Sequence, residues 1–124
     1  MHAIILFAHG SRDPLWHTSI QAVEKRILQR SPHTLVRCAY LELTEPDLPT
    51  VARELVQLGA QSLCVVPLFL GVGRHAREDL PKLIHELKLT HPAVDIHCQA
   101  AVGEQDTLLD LLADIALAKS QLKG

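Results

Sequence analysis

Residues Ala3 to Ala8 form an unbroken apolar run, too short for a helix and without the polar alternation of a half-exposed strand. Such a run is satisfied only when both faces of a strand are covered, as in a parallel sheet sandwiched between helices. Three further segments read as strands: Thr34 to Leu41, Gln61 to Pro67 and Val94 to Ala101. Each strand is followed by a stretch with helical spacing. Asp13 caps a helix that opens on Pro14 and runs to about Gln29, with Ile20, Val23, Ile27 and Leu28 on one face. The second helix covers Asp47 to Leu58 and stops at Gly59. The last covers Leu108 to Leu122, with Asp106 as its cap.

Proline decides the third helix. Pro81 belongs in a first turn and would cost a helix interior a hydrogen bond, so the spacing predicts a helix from about Asp79 to Leu89. The segment from Gly71 to Glu78 is then a loop free to hold a ligand. Four strand–helix alternations with short connections predict right-handed crossovers and an α/β, flavodoxin-like three-layer sandwich. Its four-stranded parallel sheet takes the order 2-1-3-4, with helices on both faces. A chain of 124 residues makes one such domain, residues 1–124.

Ligands in open α/β sheets bind beyond the carboxyl ends of the strands, near the topological switch point. Two histidines stand there. His9 follows the first strand in His9-Gly10-Ser11-Arg12-Asp13-Pro14, and His75 follows the third in Gly71-Val72-Gly73-Arg74-His75-Ala76. With Glu42 or Glu45 from the end of the second strand, they make a nitrogen and oxygen donor set without sulfur, suited to a divalent first-row metal in an open site. His2, His17, His33, His85, His91 and His97 read as terminal, capping or solvated residues. Arg12, Arg74 and Arg77 share the histidine loops and can pair with the carboxylates of a substrate. Trp16 is placed to cover a flat ligand, and Phe69 reads as core.

Several functions are excluded or disfavoured. The net charge of −2 argues against electrostatic binding of nucleic acid. No apolar run is long enough to span a bilayer, and no signal peptide is visible after Met1. Three dispersed cysteines, Cys38, Cys64 and Cys98, suit a reducing cytosol. Gly71 to Ala76 matches the loose dinucleotide pattern G-x-G-x-x-G/A, but Pro81 displaces the helix start from the glycines. The next strand also ends in Gln99-Ala100 without the expected acidic residue. No Walker sequence is present, so the chain calls for no nucleotide cofactor.

Three motifs together resemble the class II tetrapyrrole chelatases, specifically the small CbiX-type sirohydrochlorin cobaltochelatases. They are His9 to Pro14, Leu41-Glu42-Leu43-Thr44-Glu45-Pro46, and Leu68 to Pro81. The resemblance implies ATP-independent insertion of Co2+, as the substrate metal, into sirohydrochlorin during cobalamin biosynthesis; the alternatives are an iron or nickel chelatase acting on the same ring, or a metal- or tetrapyrrole-binding protein without turnover. It places metal binding on His9 and His75 and the rim glutamate on Glu42. Together with the residue-level reading it makes His9, His75 and Glu42 the catalytic candidates, and Ser11, Arg12, Arg74 and Arg77 the substrate-binding ones. It further implies a homodimer, and the cysteine pattern above makes the expected location cytoplasmic.

Overall fold

The computed structural model describes residues 1–123, including all side chains except those of His75 and residues 119–123. Four parallel strands form one sheet: β1 (His2–Ala8), β2 (Leu35–Tyr40), β3 (Ser62–Pro67) and β4 (Asp95–Cys98). Their spatial order is β2-β1-β3-β4, as the connection lengths predict. The central β1 faces β2 from Ala3 opposite Leu35 to Ala8 opposite Tyr40, and faces β3 from His2 opposite Ser62 to Phe7 opposite Pro67. Both neighbours of β1 therefore end within one residue of its own end, and the loops after all three strands leave from one rim.

The unbroken apolar run of β1 is explained by two buried layers. On one face Ile5, Phe7, Leu63 and Val65 pack against Leu48, Val51 and Leu55 of α2 (Leu48–Gln57), and against Ala76, Ile84 and Leu87 of α3 (Arg74–Thr90). On the other, Leu6, Ala8, Val36 and Tyr40 pack against Ile20 of α1 (Thr18–Arg30). Burial of each such side chain contributes about 1.5–3 kcal/mol, so the two layers hold the sheet.

Helix ends follow local chemistry. Asp13 accepts a hydrogen bond from the Leu15 amide at 3.0 Å and starts a 3-10 turn over Pro14–His17, which leads into α1. Asp47 accepts from the Thr50 amide at 3.0 Å and caps α2, while Gly59 leaves it with φ 104°. No helix among the described residues is long and apolar enough to cross a membrane. The cysteines are free, and burial pushes the Cys38 thiol, beside Glu24, up to about 12.

The third helix departs from the sequence reading. It begins at Arg74, not near Asp79: Gly73 is its N-cap, and the Arg77 amide donates to the Gly73 carbonyl at 3.0 Å. Pro81 lies inside it. The physical reason is burial: Ala76, Ile84 and Leu87 are buried on the sheet, and Leu80 and Leu83 pack beside them. That gain exceeds the roughly 3 kcal/mol cost of a helical proline. The segment from Gly71 to Glu78 is therefore not a free loop, and the connection shortens to Leu68–Gly73. Pro81 therefore does not keep the helix start away from the glycines. The end of β4, Cys98-Gln99-Ala100, still lacks the acidic residue of a dinucleotide site.

The fourth helix differs in another way. α4 (Asp106–Lys123) follows a 3-10 turn over Val102–Glu104 and carries Leu109, Leu111, Leu112, Ile115 and Leu117 exposed. The turn is pinned where the Gly103 amide donates to the Phe69 carbonyl at 3.0 Å. A Cβ on Gly103 would lie 1.6 Å from the Leu70 carbonyl oxygen, so only glycine fits.

Candidate active site at the sheet rim

His9 is the first residue beyond β1, and Glu42 lies just beyond β2. The end of β1 is bonded on both sides: the Leu41 amide donates to the Ala8 carbonyl at 2.8 Å, and the Leu68 amide to the Phe7 carbonyl at 2.7 Å. These bonds carry the sheet register into the loops. The His9 Nδ1 then sits 3.0 Å from Oε1 of Glu42.

Gly10 lets the two loops touch. A Cβ there would fall 1.9 Å from the Glu42 carbonyl oxygen. Thr44 closes the contact, since its Oγ1 accepts from the Ser11 amide at 3.2 Å and donates to the Ser11 carbonyl at 2.6 Å. Between Glu42 and Thr44 the chain turns sharply. Leu43 has φ 65°, and the Thr44 amide donates to the Glu42 carbonyl at 2.8 Å. A left-handed conformation costs a leucine about 1–2 kcal/mol.

The His9 ring is held by two contacts and its backbone by a third. The buried Phe69 ring lies 4.7 Å from it, centroid to centroid, at 43°. Trp16 Nε1 donates to the His9 carbonyl at 2.9 Å, and Glu42 engages Nδ1. A carboxylate only accepts, so Nδ1 of the neutral ring carries the proton and Nε2 keeps its lone pair. Nε2 has no hydrogen-bond partner among the described residues, and the side chain is about half exposed at 46%. The geometry thus offers one neutral imidazole nitrogen at the rim, oriented by a carboxylate. A groove of about 320 Å³ between the Leu15–Trp16 turn and Leu68 opens beside it.

The other candidates are placed unequally. Glu42, and not Glu45, meets His9; Glu45 lies with Pro46 and Thr50 at the start of α2. Ser11 is half-buried, its hydroxyl accepting from the Asp13 amide at 3.1 Å. Arg12 and Arg77 are exposed, with no side-chain partner among the described residues. Arg74 Nε donates to Glu78 Oε1 at 3.2 Å, one turn along α3. Both ends of that pair are exposed, so it contributes at most about 1 kcal/mol and leaves Arg74 able to exchange partners. His75 belongs to the first turn of α3, and its side chain lies outside the described residues. Among the described residues, no group of three or more His, Cys, Asp and Glu side chains is placed to hold a metal ion.

Sequence reasoning missed Thr44, and it assigned Phe69 to the core without its contact to His9. Thr44 carries a signal only in retrospect, because its partner Ser11 is 33 residues away. Trp16, read as a cover for a flat ligand, is half exposed beside His9.

The sirohydrochlorin cobaltochelatase of Methanocaldococcus jannaschii is 27% identical over 143 residues, spanning 96% of this chain and all of that one. That of Methanococcus maripaludis is 32% identical over 84 residues, 68% of this chain; the match spans only 58% of that protein. The crystal structure of a CbiX protein from Marinobacter aquaeolei VT8 superposes with a TM-score of 0.83 at 32% identity, covering 99% of this chain and 98% of that one. The CbiX family model matches residues 3–117, and the chain, with its flavodoxin-like sheet and its histidine–glutamate pair at the rim, belongs to the CbiX family of sirohydrochlorin chelatase-like proteins.

Proposed function

We propose that this chain is an ATP-independent sirohydrochlorin cobaltochelatase, a lyase that places Co2+ in the tetrapyrrole and releases two protons. The observation that carries the reading is the His9–Glu42 pair, which leaves an oriented imidazole nitrogen at the strand rim of a CbiX-family chain.

In this reading His9 and His75 hold the incoming Co2+. Two imidazoles suit Co2+ and leave most of its coordination open, so the metal can pass to the four ring nitrogens. As it leaves, the freed imidazole lone pairs of His9 and His75 each accept one of the two pyrrole protons. Glu42, bonded to Nδ1, stabilises the imidazolium that forms. Arg12, Arg74 and Arg77 take the peripheral carboxylates, and Ser11 braces the loop beneath them. The mechanism needs no nucleotide.

The functional unit in this reading is a homodimer of one-domain chains. Its support is α4, whose Leu111, Leu112 and Ile115 share one helical face and are all exposed.

Absorbance-monitored insertion of cobalt, iron and nickel into sirohydrochlorin tests the assignment, each rate being measured against its uncatalysed background. Cobalt insertion well above background, and faster than nickel, is expected. His75→Ala is expected to remove most of the rate, and an unchanged rate would remove His75 from the site.

A further inference from the structure

We infer that Leu43 is a substrate-contacting side chain, held out over the rim by its left-handed turn to pack against the apolar face of the tetrapyrrole. The inference rests on the chelatase reading above and assigns a binding role to a residue outside the His9–Glu42 pair.

Neither of the ordinary reasons for a leucine applies here. Its φ of 65° favours glycine or asparagine, so backbone preference does not select it. Its side chain is 61% exposed, so the core does not select it either. A strained, exposed apolar residue in a firmly held turn is a mark of function. The turn is firmly held: Thr44 bonds back to the Glu42 carbonyl on one side and to Ser11 on the other. Leu43 therefore projects from a fixed base between the residue that orients His9 and the residue that ties the two loops.

Its surroundings fit a broad, flat ligand. Leu15, Trp16 and Leu70, from the loops after β1 and β3, are also large, apolar and exposed. With Leu43 from the loop after β2, every loop leaving these three strands offers an apolar side chain at the edge where His9 stands. The arginines on the flanking segments suit a charged periphery, and the leucines suit the ring face it surrounds.

Leu43→Gly and Leu43→Asn test this, because both replacements suit a positive φ while removing the apolar contact. The readouts are the melting temperature, the Kd for metal-free sirohydrochlorin by absorbance titration, and kcat and KM for cobalt insertion. Both variants should melt at or above the wild-type temperature, weaken Kd and KM roughly tenfold, and keep kcat within about twofold. Unchanged Kd and KM would overturn the inference. So would a lower kcat at unchanged Kd, which would make Leu43 merely a part of the support for Glu42. A wild-type chain that neither binds nor metallates sirohydrochlorin overturns both this inference and the functional reading. A wild-type chain that does both, with indifferent variants, overturns Leu43 alone.

Discussion

His9 and Glu42 are 33 residues apart in the chain, yet Nδ1 of one lies 3.0 Å from Oε1 of the other. Their strands are parallel neighbours that end level, at Ala8 opposite Tyr40, so the pair follows from sheet register. The carboxylate fixes the tautomer and the orientation of the imidazole. Partners of this kind commonly govern affinity or rate by 10–100-fold. Glu42→Ala should therefore lower kcat/KM for cobalt insertion by about 10–100-fold, with Glu42→Gln intermediate because it keeps an acceptor. Steady-state rates of the two variants check this.

Gly10→Ala should destabilise the fold as well as the site. The added Cβ meets the Glu42 carbonyl oxygen at 1.9 Å, and backbone must shift to admit it. A cost of about 1–3 kcal/mol is expected, lowering the melting temperature by several degrees. Thermal denaturation measures it. Substitution at Gly71, where a Cβ meets nothing within 4 Å, is the control and should melt near wild type.

Asp47 caps α2, and its hydrogen bonds to Thr50 hold its carboxyl below the ordinary 3.8, with a smaller contribution from Arg53. A carboxyl depressed in the folded state stabilises it above the unfolded value, and that stability is lost as pH falls through the folded value. Asp47→Ala should cost about 1 kcal/mol at pH 7. Urea titrations from pH 7 downward should show the gap between variant and wild type holding to about 4 and closing below it.

Paired acidic substitutions on α4, Leu112→Asp with Ile115→Asp, test the homodimer. Light scattering should show the wild type as a dimer and the variant as a monomer. A wild type monomeric at micromolar concentration would leave the apolar face of α4 without the partner proposed for it.

Much of this structure was legible in the residues. Runs such as Ala3–Ala8 and Leu63–Val66 admit little besides doubly covered strands, and the connections between them imply the strand order. The rim position of His9 was legible because it directly follows such a run. The start of α3 was not, because Pro81 states a local cost, whereas the burial of Ala76 and Leu87 that offsets it is tertiary. The choice between Glu42 and Glu45 was hidden for a similar reason. It depends on a left-handed residue at Leu43, which no leucine announces, and on a contact between Gly10 and Glu42 made only when the two loops meet.

The most direct test of the account is the rate of cobalt insertion into sirohydrochlorin by the wild-type chain and by His9→Ala, each against the uncatalysed background and without ATP. Wild-type catalysis well above background is expected, with the variant retaining no more than a few per cent of it. Equal rates in the two proteins, or a wild type indistinguishable from background, would contradict it.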